Sequence, residues 1–144
     1  MPRYASQPYD ATCGPTAVIN AGKWAGLGLS VKHDFVFMMD LCETDWEIGT
    51  YPWGIDRGLR IALGLNGVKV TRKRNASIKD IENHLLKDGS VVVCNKDHVF
   101  LITGQTKKMF ITQNYREGST TGRVRKNTIQ RTMIPHEVWF LKGE

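Results

Sequence analysis

Apolar positions in the first half of the chain recur at helical spacing, while those of the second half run continuously or alternate, so helices are expected first and strands second. Ala17, Ala21 and Trp24 fall at i, i+4 and i+7 behind Cys13-Gly14-Pro15. They predict a helix entered at the cysteine, because Pro15 suits a first helical position, where a missing N–H costs nothing. Gly26 and Gly28 mark its end. Phe35, Met38, Met39 and Cys42 make a second stripe, over roughly His33 to Glu43, in which Cys42 is a buried apolar side chain. Ile55, Leu59 and Ala62 or Leu63 predict a short third helix closed by Gly64 and Gly67. Ser77 with Asp80 caps a fourth, running to Lys87, whose Ile78, Ile81 and Leu85 face inward.

Val68-Lys69-Val70 alternates and leads into Thr71-Arg72-Lys73-Arg74, an edge strand with outward charges. Val91-Val92-Val93-Cys94 is continuous, the mark of a strand covered on both faces, with Cys94 in a structural place. His98 to Thr103 and Lys108 to Thr112 form a hairpin about the turn Gly104 to Lys107. Val124 to Arg131 and Glu137 to Leu141 would complete the sheet. The expected class is α+β, with N-terminal helices packed against a C-terminal antiparallel β-sheet.

Composition narrows the setting. With 144 residues, 41% hydrophobic and 24% charged, the chain reads as a single globular domain over 1–144. No apolar core follows Met1-Pro2-Arg3-Tyr4, and apolar runs such as Val91 to Cys94 fall far short of a bilayer, so neither an export signal nor a membrane partner is expected. Three cysteines without close pairing make no disulfide framework, and no Cys-x-x-Cys or His/Cys cluster calls for a metal. A reducing cytoplasm is the expected location, and no cofactor is expected. The formal charge of +6 gathers partly at Lys69, Arg72, Lys73 and Arg74 and at Arg123, Arg125, Lys126 and Arg131. No nucleic-acid motif accompanies these clusters, and a charged edge strand with a solvated loop accounts for both.

Cys13 is the candidate nucleophile. At a helix N-terminus the unsatisfied N–H groups and the positive end of the macrodipole favour a thiolate. Of the four histidines, His33 beside Asp34, His84 among charged neighbours and His136 after Pro135 occupy places typical of solvated or satisfied side chains. His98 opens a strand after Asn95-Lys96-Asp97, where a rigid sheet presents a side chain to a cleft. With the turn at Gly104 to Lys107, antiparallel counting puts His98 opposite Gln113, and a turn one residue later puts it opposite Asn114. Either amide can orient the imidazole toward the thiol. Gln7, in the loop ahead of Cys13, has the donor that an oxyanion would need beside the Cys13 N–H. Trp46, Tyr51, Pro52 and Trp53 stand in an aperiodic stretch with Gly49 and Gly54. It either walls a cleft, making Tyr51, Trp53 and Gly54 substrate contacts, or folds back on the core.

Taken together, Gln7, the Cys13-Gly14-Pro15 helix start, Gly89 ahead of an apolar strand, His98-Val99 at the next strand and Gln113-Asn114 after it resemble a papain-like cysteine peptidase. Within that clan the chain is most similar to the peptidase C39-like group, which includes the processing domains of bacteriocin exporters. The likeness covers roughly Gln7 to Tyr115. It implies a papain-like fold, Cys13 as nucleophile, His98 as base, Gln7 as oxyanion donor and a third member at the end of the strand after His98. That group usually places an Asp there, often followed by Pro; here Asn114 precedes Tyr115, closer to the Asn of papain itself, and Gln113 stays an alternative. The implied activity is thiol hydrolysis of peptide or isopeptide bonds in a polypeptide substrate. The same constellation would serve a deamidase or acyltransferase, distinguished by ammonia released without chain cleavage. A non-catalytic binding protein on this scaffold would keep its activity in Cys13→Ala.

Overall fold

A computed structural model of the chain describes residues 2–95, 98–116, 119–132 and 137–143. The helices form where the apolar stripes place them: α1 Cys13–Trp24, α2 Val31–Leu41, α3 Pro52–Ala62 and α4 Ile78–Leu85. Pro15 is third in α1 rather than first, still within the turn whose N–H groups have no intrahelical acceptor. Ser30 caps α2 by accepting from the His33 N–H, and Ser77 and Asp80 make a reciprocal capping box on α4.

Six strands follow: β1 Val68–Arg74, β2 Ser90–Cys94, β3 Val99–Gln105, β4 Met109–Gln113, β5 Thr121–Arg125 and β6 Glu137–Gly143. They pair antiparallel in the order β1-β6-β2-β3-β4-β5, so the charged β1 lies at an edge as expected. The last strand, β6, inserts between β1 and β2.

Both faces of this sheet are covered. Val92, Leu101, Trp139 and Leu141 pack with α1, α2 and α3 on one side. Val91, Val93, Phe100, Ile102 and Val138 pack on the other with Ile81 of α4 and Ile129 of a further helix, α5 Lys126–Thr132. Successive strand residues point to opposite faces, and this explains why β2 is apolar without interruption. No described helix is long and apolar enough to cross a membrane.

Two expectations about the second half need correction. The β3–β4 turn lies later than Gly104 to Lys107, because β3 continues to Gln105 and the Thr106 N–H donates to the Met109 carbonyl at 2.8 Å. The Thr106 hydroxyl also accepts from the Met109 N–H, while Gly104 sits within the strand beside an irregularity in the ladder. Leu101, not His98, therefore stands opposite Gln113. Val124 to Arg131 is likewise not one strand: β5 ends at Arg125 and α5 turns Ile129 into the second core. An extended segment would leave that apolar side chain without this burial.

Gly54 lies in the first turn of α3, where α3 docks on the end of α2, and a Cβ there would come within 2.1 Å of the Cys42 carbonyl oxygen. Gly54→Ala is expected to destabilise the fold by about 1–3 kcal/mol. Urea unfolding checks this, and an unchanged midpoint would be incompatible with so close an approach.

Candidate active site

The helical half of the site begins with a tightened loop. Ala11 has a left-handed φ of 60°, and the Thr12 hydroxyl donates to the Tyr9 carbonyl at 2.5 Å, which turns the chain sharply into α1. Cys13 is the first residue of α1, so its N–H belongs to the first turn, whose donors have no intrahelical acceptor. Gly14 follows because the α2–α3 connection closes over it: a Cβ there would sit 2.4 Å from the Thr50 hydroxyl oxygen. That connection is itself braced. The Asp45 carboxylate accepts from the N–H groups of Ile48 and Glu47, at 2.9 and 2.8 Å, and these bonds hold its pKa below the ordinary carboxyl range. Thr44 and Thr50 share a hydroxyl contact of 2.6 Å.

The sheet half supplies His98 from the residue before β3. Its N–H donates to Asn95 Oδ1 at 2.7 Å and its carbonyl accepts from the Asn95 N–H, so the entry to β3 is closed at both groups. The imidazole stacks on Phe100 with ring centroids 6.1 Å apart, and Phe100 in turn meets Tyr115 edge-on. His98 Nε2 lies 2.5 Å from the main-chain carbonyl oxygen of Asn114. A carbonyl can only accept, so Nε2 carries a proton, and in the neutral imidazole the lone pair is on Nδ1.

Asn114 does not offer its amide to the imidazole. Its side chain makes a reciprocal pair with Gln7: the Gln7 N–H donates to Asn114 Oδ1, and Asn114 Nδ2 donates to Gln7 Oε1, both at 3.0 Å. Asn114 is fully buried with φ at 60°, a left-handed conformation that Asn tolerates better than most residues. Gln7 Nε2 donates to the Tyr9 carbonyl. Gln113 points elsewhere, donating to the Thr103 hydroxyl and accepting from the Thr121 hydroxyl.

Cys13 and His98 line one open cleft of about 600 Å³, which is walled by Ile48 to Pro52 on the helical side and by Cys94, Glu137 and Arg74 on the sheet side. Of the aromatic loop, Tyr51 lines the cleft, Trp53 stacks on Tyr51 outside that lining at 6.2 Å, and Gly54 is buried beneath α2. Trp46 folds back and packs against Tyr9 and Phe35. Of the three expected substrate contacts, only Tyr51 therefore borders the cleft, while Trp53 and Gly54 lie outside its lining.

Cys94 was expected in a purely structural place, yet it is half-buried at the end of β2 and borders the cleft. Burial pushes its thiol up to about 12, and the charges of Cys13 and Glu137 push in the same direction. Cys42 is fully buried, and desolvation raises it to about 12 as well. His84 is fastened to the Leu141 carbonyl at 2.8 Å and packs on Phe140, with burial lowering its basicity. His33 lies on the exposed side of α2, and His136 falls outside the described residues. Among the described residues no cluster of His, Cys, Asp and Glu is arranged to hold a metal ion. Arg74, Asn75 and Glu137 were not anticipated in the cleft. Arg74 and Glu137 come together only through the β1–β6 register, for which no local pattern exists.

No family model matches the sequence, and comparison by sequence finds no curated relative. Comparison of folds is informative. The peptidase domain of Streptococcus ComA, a bifunctional ABC transporter of a quorum-sensing pathway, superposes with a TM-score of 0.75 at 19% identity, over 99% of this chain and 100% of that one. A double-glycine-motif protease from an AMS/PCAT transporter, solved with its leader peptide, gives 0.70 at 11% identity, covering 98% and 91%. The peptidase domain of Streptococcus mutans ComA gives 0.60 at 15% identity, covering 96% and 97%. The fold is that of the papain-like C39 peptidase domains.

The thiol environments generate a reactivity order. At pH 8 iodoacetamide is expected to modify Cys13 well before Cys94, and Cys42 only after unfolding, because thiols near 12 expose about 10⁻⁴ of their population as thiolate. Peptide mapping by mass spectrometry checks the order, and equal labelling of the three would contradict it.

Proposed function

We propose that the chain is a cysteine peptidase that cleaves peptide or isopeptide bonds in a polypeptide, with Cys13 as nucleophile and His98 as general base. The observation that carries this reading is that a thiol at a helix N-terminus and an imidazole with a defined tautomer border the same cleft from opposite halves of the fold. Nδ1 of His98 takes the Cys13 proton, the thiolate attacks the scissile carbonyl, and the imidazolium returns the proton to the leaving nitrogen. Water then releases the acyl group from sulfur. A reducing compartment such as the cytoplasm keeps Cys13 a thiol through this cycle.

In this reading the third member of the constellation is Asn114, acting through its main-chain carbonyl on His98 Nε2. A peptide carbonyl holds the tautomer and ring plane as an amide side chain would, without adding a charge. Asn114 also acts through its side chain, whose amide bonds Gln7; Gln7 Nε2 gives one N–H to the Tyr9 carbonyl, and its second N–H would serve as the oxyanion donor together with the Cys13 N–H. Tyr51 contacts the bound chain and Trp53 supports it from behind. The relative solved with a leader peptide binds a polypeptide on the same fold, which supports a polypeptide substrate here.

Cys13→Ala and His98→Ala are each expected to lower kcat/KM at least about 10³-fold on a cleaved peptide, and the double variant no further than the worse single one. Gln7→Ala and Asn114→Gly are expected to lose about 10²-fold each, since glycine accepts the left-handed backbone that presents the carbonyl to His98. If Asn114 acts through Gln7, their losses do not add in a double-mutant cycle. Peptide turnover retained by Cys13→Ala would end this proposal.

A further inference from the structure

A cross-strand row leads out of the cleft. In the β2–β6 ladder Cys94 stands opposite Glu137, and in the β6–β1 ladder Glu137 stands opposite Arg74. Directly opposed residues share a face, so these three side chains lie side by side along the cleft floor, and all three line it. One residue pair deeper, the same face has Trp139 opposite Arg72.

The charges along this row are unequal. The Glu137 carboxylate is mostly buried and meets Arg72 Nε at 2.5 Å, so its stronger bond is already taken. Arg72 is backed by the Trp139 ring, 5.7 Å from its guanidinium carbon, and Trp139 donates to Asp56. Arg74 reaches the other Glu137 oxygen only at 3.4 Å and leaves 74% of its side chain exposed. Its Nη groups have no partner among the described residues. Two guanidinium groups thus share one carboxylate at the mouth of the cleft, and the outer one has donors to spare. Arginine presents those donors as a fork matched to a carboxylate.

Resting on the peptidase reading above, we propose that Arg74 is a specificity-determining residue that binds a carboxylate of the substrate chain two to four residues from the scissile bond. The distance follows from sheet geometry. Cys94 borders the cleft beside Cys13, whose charge it feels, and so marks the reacting end of the row. Arg74 lies two strand spacings from Cys94, about 10 Å, and an extended peptide covers that in about three residues. The carboxylate comes either from an Asp or Glu side chain or from the C-terminus of a short chain, and the two sources separate experimentally.

The experiment profiles cleavage of position-scanned peptide pools in which one position is Glu or Gln, each pool made with a free C-terminal acid and with a C-terminal amide. Wild-type protein is expected to prefer Glu over Gln about three- to tenfold in kcat/KM at one position two to four residues from the cut. Arg74→Gln should abolish the preference, Arg74→Lys should restore part of it, and added salt should weaken it, since the guanidinium is exposed. A preference for the free acid over the amide, lost in the same variant, would identify the C-terminal source instead. Cys13-dependent cleavage with no carboxylate preference, or with one that survives Arg74→Gln, overturns the inference and leaves the peptidase reading standing. If no pool is cleaved, that reading fails, and binding of the same pools to Cys13→Ala still decides the role of Arg74: equal affinity for Glu and Gln pools overturns it, whereas a Glu preference that Arg74→Gln removes upholds the carboxylate site.

Discussion

The reciprocal amide pair between Gln7 and Asn114 is the contact on which the arrangement of the site depends. It joins the loop ahead of α1 to the end of β4 across 107 residues of sequence, and both side chains are buried. Each bond is worth about 1 kcal/mol net, but leaving either amide unpaired inside the protein would cost more than that. The pair fixes the Asn114 backbone, whose carbonyl accepts a hydrogen bond from His98 Nε2 at 2.5 Å. One buried contact therefore registers the loop that leads into the thiol-bearing helix against the imidazole-bearing sheet.

The sheet makes this registration durable because neither of its faces is free to move. Helices α1 to α3 press on one side and α4 with α5 on the other, so the strand ends that border the cleft belong to a doubly packed slab. His98 shares in this packing through Phe100 and Tyr115. The opposite wall is different in kind, being a connection held by short polar bonds at Asp45, Thr44 and Thr50 and by glycines at 14 and 54 that let it close tightly on α1 and α2. One wall is thus rigid through burial and the other through local turns.

The same contrast between burial and exposure explains the fates of the three cysteines. All three sit at element ends or starts, yet Cys42 lies inside the core, Cys94 at its rim and Cys13 at the mouth of a helix. Desolvation raises the first two well above their ordinary range. Position relative to the cleft, not residue type, separates a packing thiol from a candidate nucleophile.

Much of this was legible in the amino-acid order. Stripes at helical spacing placed α1 to α4, the unbroken valines of β2 announced a strand covered on both sides, and Cys13, Gln7 and His98 stood out because their chemistry depends on local context: a helix start, a preceding loop, a strand entry. What could not be read required distances between segments. A later turn and a ladder irregularity moved His98 away from Gln113, and the Asn114 carbonyl, which no side-chain pattern encodes, took the place expected of an amide. Arg74 and Glu137 entered the cleft only because β6 inserts beside β1. The sequence by itself determined which elements form and which residues have reactive chemistry, since both follow from neighbours along the chain; tertiary structure alone decided which of those groups meet, because register and strand order are set by packing over the whole sheet.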